Sequence, residues 1–212
     1  MQRESGTPSF PLWLLGDSNP PNWAHLLLTP LDPRHPARHN IWTPVLDTMQ
    51  DVLYRAARLR INTADLYIQN AIADPGSKPA TTATTWPDAV TQDVQTYATA
   101  IVVTTRPTII FSFGAFAFEF ARRAIEPSYH PRGYGCWGAR TLGEEFIQRI
   151  EHFSPETTNV LPLLHATIAR RWFLESHAYF TRDTTANYFT FTGERIASVL
   201  LKYRDQLPIW IA

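Results

Sequence analysis

Four short segments of the chain are almost continuously apolar, and each has the length of a β-strand. They are FPLWLLG at 10–16, DLYIQNAI at 65–72, PTIIFSFG at 107–114 and NVLPLLH at 159–165. Apolar runs of about four to eight residues, without alternation, are typical of parallel strands that are covered on both faces. The pattern therefore predicts four buried strands.

Amphipathic segments with helical spacing separate and follow these strands. In the first of them, Val45, Met49 and Val52 recur at the spacing of one helix face. Thr141 and Glu144 have the spacing of a capping box, which predicts a helix start at that point. The predicted helices are 41–59, 86–103, 115–126, 141–153 and 192–207.

The alternation of strands and helices predicts an α/β fold. We expect a three-layer α/β/α domain around a central, mostly parallel, four-stranded sheet. A chain of 212 residues suits one domain, so 1–212 is expected to be a single unit. With 44% hydrophobic and 18% charged residues, the composition is that of a globular protein.

The composition also bears on ligands and location. No apolar run reaches the roughly 18 residues of a membrane span, and the N-terminus has no apolar signal segment. The lone Cys136 excludes an internal disulfide and a four-cysteine metal site. We expect a cytoplasmic protein with no membrane association, no metal and no cofactor; the oligomeric state is left open.

Charge gives a mixed indication about nucleic acids. The formal net charge is zero, whereas nucleic-acid-binding proteins usually carry a basic excess. Of the 19 basic residues, 17 are arginine and only Lys78 and Lys202 are lysine. Arginine is the better planar partner for phosphates and bases, but codon bias in a GC-rich genome produces the same preference. Both interpretations remain open.

Polar side chains follow three of the predicted strands. Asp17, Ser18 and Asn19 come directly after the first, Asn70 ends the second, and His165 ends the fourth. In open α/β sheets, ligands bind in the crevice beyond the carboxyl ends of the strands. The sequence therefore predicts one pocket formed by three separate segments.

Five motifs, in order, resemble the uracil-DNA glycosylase superfamily, especially its mispair-specific branch. They are GDSNPP at 16–21, HPARHNIW at 35–42, YIQNA at 67–71, IIFSFGAFAFEF at 109–120 and LPLLHATIARR at 161–171. The resemblance covers roughly residues 10–205. It implies a metal-free enzyme that flips a uracil or related damaged base out of DNA and hydrolyses its N-glycosidic bond.

The resemblance assigns catalytic roles to three residues. Asn19 or Asp17 would hold the attacking water, and His165 would donate a hydrogen bond to the departing base. Each residue also has a structural interpretation. Asn19 before a proline is a common turn former, Asp17 can cap its own loop, and an isolated His165 is often a satisfied core histidine.

The same resemblance assigns base recognition to the strand ends. The Asn70 amide, which both donates and accepts, suits the Watson–Crick edge of a base, although a strand-end amide is often a backbone cap. Gly16 and Ser18 would line the pocket. The aromatic residue nearest to the position that stacks on the base is Trp23.

DNA contacts are expected in the segment after His165. Ile168 would fill the gap left by the flipped base, and Arg170 and Arg171 would contact phosphates. A solvated helix start is the alternative. Ala166 and Thr167 stand where the family usually has proline and serine. Two other functions therefore stay open: a catalytically degraded module that binds nucleic acid, nucleotide or protein, and an unrelated α/β enzyme or binder.

Overall fold

The central sheet has five strands, ordered β1-β3-β2-β4-β5, in a computed structural model that describes residues 4–18, 43–103, 106–126, 128–165 and 173–211. Strands β2 to β5 are parallel, and β1 pairs antiparallel with β3. The four predicted strands are confirmed, and the predicted count of four is corrected by the two-residue edge strand β1. The strands are β1 (Glu4–Ser5), β2 (Leu12–Gly16), β3 (Tyr67–Asn70), β4 (Ile109–Phe113) and β5 (Asn159–Leu163).

The parallel strands are buried because helices cover both faces of the sheet. Every residue of β2 and β4 is buried, as their almost continuously apolar sequences predict. On one face, the Trp13 ring of β2 contacts Tyr67 at 4.6 Å and Tyr97 at 5.8 Å between ring centroids. The Trp13 indole N–H donates to the Phe10 carbonyl at 3.0 Å, so its polar atom is satisfied inside the core.

Six helices accompany the sheet in the described part of the chain, and five of them were predicted, with ends shifted by a few residues. α6 begins earlier than predicted because the Asn187 side chain accepts the N–H groups of Phe189 and Thr190 and so caps it. The segment 173–181 carried no prediction. The helices are α1 (Thr43–Ala57), α2 (Asp88–Val103), α3 (Ala115–Ile125), α4 (Ala139–Glu151), α5 (Phe173–Thr181) and α6 (Tyr188–Lys202).

The predicted capping box at the start of α4 is wrong. The helix begins at Ala139, with Gly138 as the N-cap residue and no side-chain cap bond. Thr141 is already inside the first turn, and its hydroxyl donates to the Gly138 carbonyl oxygen at 3.0 Å. The sequence pattern was present, but the helix starts two residues before it.

The order of the strands places a crevice between β2 and β4. The chain leaves β2 through α1 to reach β3 on one side, and leaves β3 through α2 to reach β4 on the other side. Because such crossovers are right-handed, α1 and α2 lie on opposite faces of the sheet. α1 packs against α6, and α2 packs against α3, which gives the three predicted layers. Ligands of such sheets bind where the strand order reverses, beyond the carboxyl ends of β2 and β4.

Candidate functional site

The candidate site lies at this reversal point and is formed by the loops that follow β2, β4 and β5. Asp17 directly follows β2, Gly114 directly follows β4, and His165 lies two residues beyond β5. Gly114 has φ of +93°, and a β-carbon added to it would lie 2.8 Å from the His165 Cβ. Glycine is therefore required here both by the backbone conformation and by the approach of His165.

Asp17 forms an ion pair with Lys78 across the mouth of the crevice. The Lys78 ammonium donates to Asp17 Oδ2, and the two side chains are 30% and 16% exposed, respectively. The other carboxylate oxygen, Oδ1, is buried and accepts no hydrogen bond from the residues that the structure describes. An ionised carboxylate has several acceptor positions, so Asp17 retains capacity to bind a donor at Oδ1.

The loop of Asp17 is tied to the chain that follows β3. The Ala71 N–H donates to the Gly16 carbonyl at 2.9 Å, and the Ile72 N–H donates to the Asp17 carbonyl at 3.2 Å. These bonds continue the β2–β3 ladder past the strand ends, and in that ladder Asn70 is paired with Gly16. Asn70 thus lies beside the Asp17 loop, half-buried at the same edge of the sheet.

Aromatic rings hold the Lys78 side chain in place. Its ammonium lies 5.0 Å from the ring centroid of Phe116 in α3 and 5.2 Å from that of Tyr134. The Tyr134 hydroxyl donates to the Pro79 carbonyl at 3.1 Å, which fixes this ring against the lysine's own segment. Cation–π contacts of this kind favour one position of the ammonium and so orient the ion pair with Asp17.

His165 is a neutral imidazole at neutral pH. Burial lowers the pKa of His165 because the charged form is poorly solvated there. The negative charge of Asp17 acts in the opposite direction, and the positive charge of Lys78 lowers the pKa further. Asp17 and Lys78 thus both lie close enough to act on His165 electrostatically. The neutral ring can donate one hydrogen bond without carrying a charge.

A buried carboxylate anchors the segment that carries Tyr134. Glu119 of α3 is fully buried, and each of its oxygens accepts two hydrogen bonds. Oε1 accepts from Arg123 Nε and from the Arg132 backbone N–H, each at 2.9 Å. Oε2 accepts from the Tyr129 hydroxyl at 2.6 Å and from the Trp137 indole N–H at 2.8 Å. Three of these donors come from residues 129–137, so Glu119 positions the segment that orders Lys78.

The structure brings several of the predicted site residues to one edge and leaves others undescribed. Asp17 and His165 interact electrostatically, and Gly16, Ser18 and Asn70 lie at the ends of the strands beside them. The roles predicted for these residues stay predictions. The predicted residues that lie outside the described part of the chain are Asn19, Trp23, Ile168, Arg170 and Arg171.

Sequence reasoning missed Lys78, Phe116 and Tyr134 as parts of the site. The sequence feature that could have drawn attention to Lys78 is its rarity, because it is one of two lysines in a chain with 17 arginines. Phe116 lies in the aromatic-rich segment 115–120, which is typical of core packing, and its ring is indeed buried. Tyr134 lies in a 3-10 turn, Tyr134–Cys136, and no motif indicated its position next to Lys78.

No protein-family model matches the chain, and no curated protein matches it significantly. Within the described ranges, no helix has the length and apolar character needed to cross a membrane. The same part of the chain contains no group of three or more histidine, cysteine or acidic side chains placed to hold a metal ion.

Proposed function

We propose that this protein is a DNA glycosylase that hydrolyses the N-glycosidic bond of a flipped uracil or related damaged base. The observation that carries the proposal is the pairing of a carboxylate with a neutral imidazole at the reversal point of the sheet. Asp17 has a buried oxygen free of hydrogen bonds from the described residues, and His165 is held against Gly114 beside it. The five motifs that resemble uracil-DNA glycosylases, in the family's order, support the same assignment.

In the proposed reaction, Asp17 Oδ1 accepts a proton from a water molecule as the water oxygen attacks C1′ of the sugar. The C1′–N bond breaks, and its electron pair leaves with the base. The neutral His165 donates a hydrogen bond to the base oxygen on which negative charge develops. The base then takes up a proton, the sugar keeps the hydroxyl, and Asp17 returns its proton to solvent.

The neighbouring residues prepare this geometry. Lys78 binds Oδ2 of Asp17 and so leaves Oδ1 as the oxygen available to water. The lowered pKa of His165 favours the neutral ring, and a neutral imidazole N–H can donate a hydrogen bond to the leaving base without transferring its proton. Asn70 would read the base edge, and Asn19 remains the alternative residue for holding the water.

The proposal is tested by incubating the full chain with oligonucleotides that contain uracil in single strands, opposite adenine and opposite guanine, followed by alkaline cleavage. Oligonucleotides with other deaminated or oxidised bases complete the set. Strand cleavage at the modified base is expected for at least one substrate. Salt-dependent DNA binding without base release would instead favour a non-catalytic binding module. The absence of both DNA binding and base release would overturn the assignment to DNA.

A further inference from the structure

A second concave surface lies at the opposite end of the sheet from Asp17 and His165. It is a groove of about 780 Å³ between the C-terminal turns of α2 and α3 and the segments 128–132 and 157–158. Arg106 precedes β4 and Thr158 precedes β5, so the groove is at the amino ends of the parallel strands. A five-residue strand spans about 17 Å, which separates the groove from the candidate site.

Cationic side chains outnumber anionic ones in this groove. Three arginines line it, Arg106, Arg122 and Arg132, with Glu126 as the acidic counterpart. Glu126 is already bound by two arginines, Arg122 Nε and Arg149 Nη2, each at 2.7 Å.

Two of the cations in the groove are uncompensated. Neither Arg106 nor Arg132 forms an ion pair with a carboxylate of the described residues. Because the whole chain has zero net charge, this excess is local to the groove.

The remaining lining divides into hydroxyl groups and an apolar wall. Ser128, Thr157 and Thr158 supply the hydroxyls, and Thr158 Oγ1 is buried without a hydrogen-bond partner among the described residues. Ile101 and Val102 of α2 form part of the apolar wall, and Val102 is 79% exposed. An anionic group and an apolar body would each find complementary atoms in the same groove.

We propose that this groove binds a small organic phosphate, with the phosphate against Arg106 and Arg132 and the organic body against the α2 wall. One arginine guanidinium can donate two parallel hydrogen bonds to two oxygens of a phosphate, and hydroxyl groups can donate to the remaining oxygens. A volume of about 780 Å³ is in the range of small-molecule pockets, which favours a ligand the size of a nucleotide over a macromolecule. This binding is independent of the glycosylase assignment.

The test is an NMR titration of the isotopically labelled full chain with two probes, AMP and phenyl phosphate. Adenosine, which lacks the phosphate of AMP, and inorganic phosphate, which lacks the organic part, are titrated separately. At least one of the two organic phosphates is expected to shift the amide signals of Arg106, Ser128 and Thr157. Adenosine should bind at least tenfold more weakly than AMP, and added salt should weaken AMP binding, because the attraction is partly ionic.

Variants distinguish this groove from other basic surfaces. Arg106→Ala and Arg132→Ala should each weaken binding about tenfold, the loss typical of one charged hydrogen bond. Arg55→Ala removes the same charge from an exposed site on α1 that is outside the groove and should change nothing. Two results would overturn the proposal: no binding of either organic phosphate, or affinities that the groove arginines do not alter. Signal changes at Asp17 and His165 instead of the groove would equally contradict it.

Discussion

Replacing Gly114 with alanine should destabilise the protein and displace His165. Gly114 has φ of +93°, a conformation that costs an L-residue with a β-carbon about 1–3 kcal/mol. The new β-carbon would also lie 2.8 Å from the His165 Cβ and 3.5 Å from its Cγ, closer than side chains tolerate without moving. The overlap destabilises the folded state by a further amount of about 1–3 kcal/mol. Alanine also stiffens the unfolded chain, which offsets about 0.4–1 kcal/mol of this loss. These ranges combine to a net loss of about 1–6 kcal/mol, centred on about 3 kcal/mol.

Gly138→Ala is a matched control for this variant. Both glycines are N-cap residues without a side-chain cap bond, so the cost of alanine at that helix position is common to the two. Gly138 has φ of −70°, and an added β-carbon there has no neighbour within 4 Å. The control should therefore lose less than about 1 kcal/mol.

Urea unfolding of the two variants measures the difference in stability, and NMR titration of His165 reports its displacement. In Gly114→Ala the pKa of His165 should move toward its ordinary value, because a displaced ring is less buried. The reasoning is refuted if the two alanine variants agree within about 0.5 kcal/mol and the His165 titration is unchanged.

Three further predictions concern the surroundings of the site. His177 is buried with a pKa of about 4, against 6.5 in the unfolded chain. The free energy of unfolding should therefore be highest above pH 6.5 and should fall by up to about 3 kcal/mol as the pH decreases to 4. Urea unfolding of His177→Asn should show a smaller decrease over the same pH range. Glu119→Gln should lower the free energy of unfolding by about 3 kcal/mol in the same measurement, because an amide offers only one oxygen to the four donors that surround it. The control, Glu194→Gln at an exposed position, should lower it by less than about 0.5 kcal/mol. Lys78→Met should raise the pKa of His165 in an NMR titration, because a nearby positive charge is removed; an unchanged or lower pKa would contradict the proximity of the two groups.

Much of the fold could be predicted because burial on both faces leaves a strong apolar signature. Strands β2 to β5 each lie in an almost continuously apolar segment. β1 could not be, since Glu4 and Ser5 are polar and become a strand only by pairing with Ile68 and Gln69. The start of α4 was misplaced because Gly138 begins the helix through its backbone alone. Local pattern cannot show such tertiary and backbone effects.

The site was only partly predictable for a similar reason. Asp17 and His165 could be found because they lie within two residues of strand ends, and the carboxyl ends of parallel strands share one edge. Lys78 lies 61 residues from Asp17 in the sequence, on a loop whose course depends on Tyr134 and Pro79. The requirement for Gly114 likewise depends on the position of His165, 51 residues later, and no local motif encodes that contact.

The most direct test of the account is the single-turnover rate of uracil release by the wild-type chain and by Asp17→Asn and His165→Ala. Asp51→Asn, which alters an exposed carboxylate on α1, is the control. The account predicts release by the wild-type chain and the control, and a decrease of about 10²–10³-fold in each site variant with little change in DNA affinity. Equal rates in all four proteins, with the site variants folded, would contradict it.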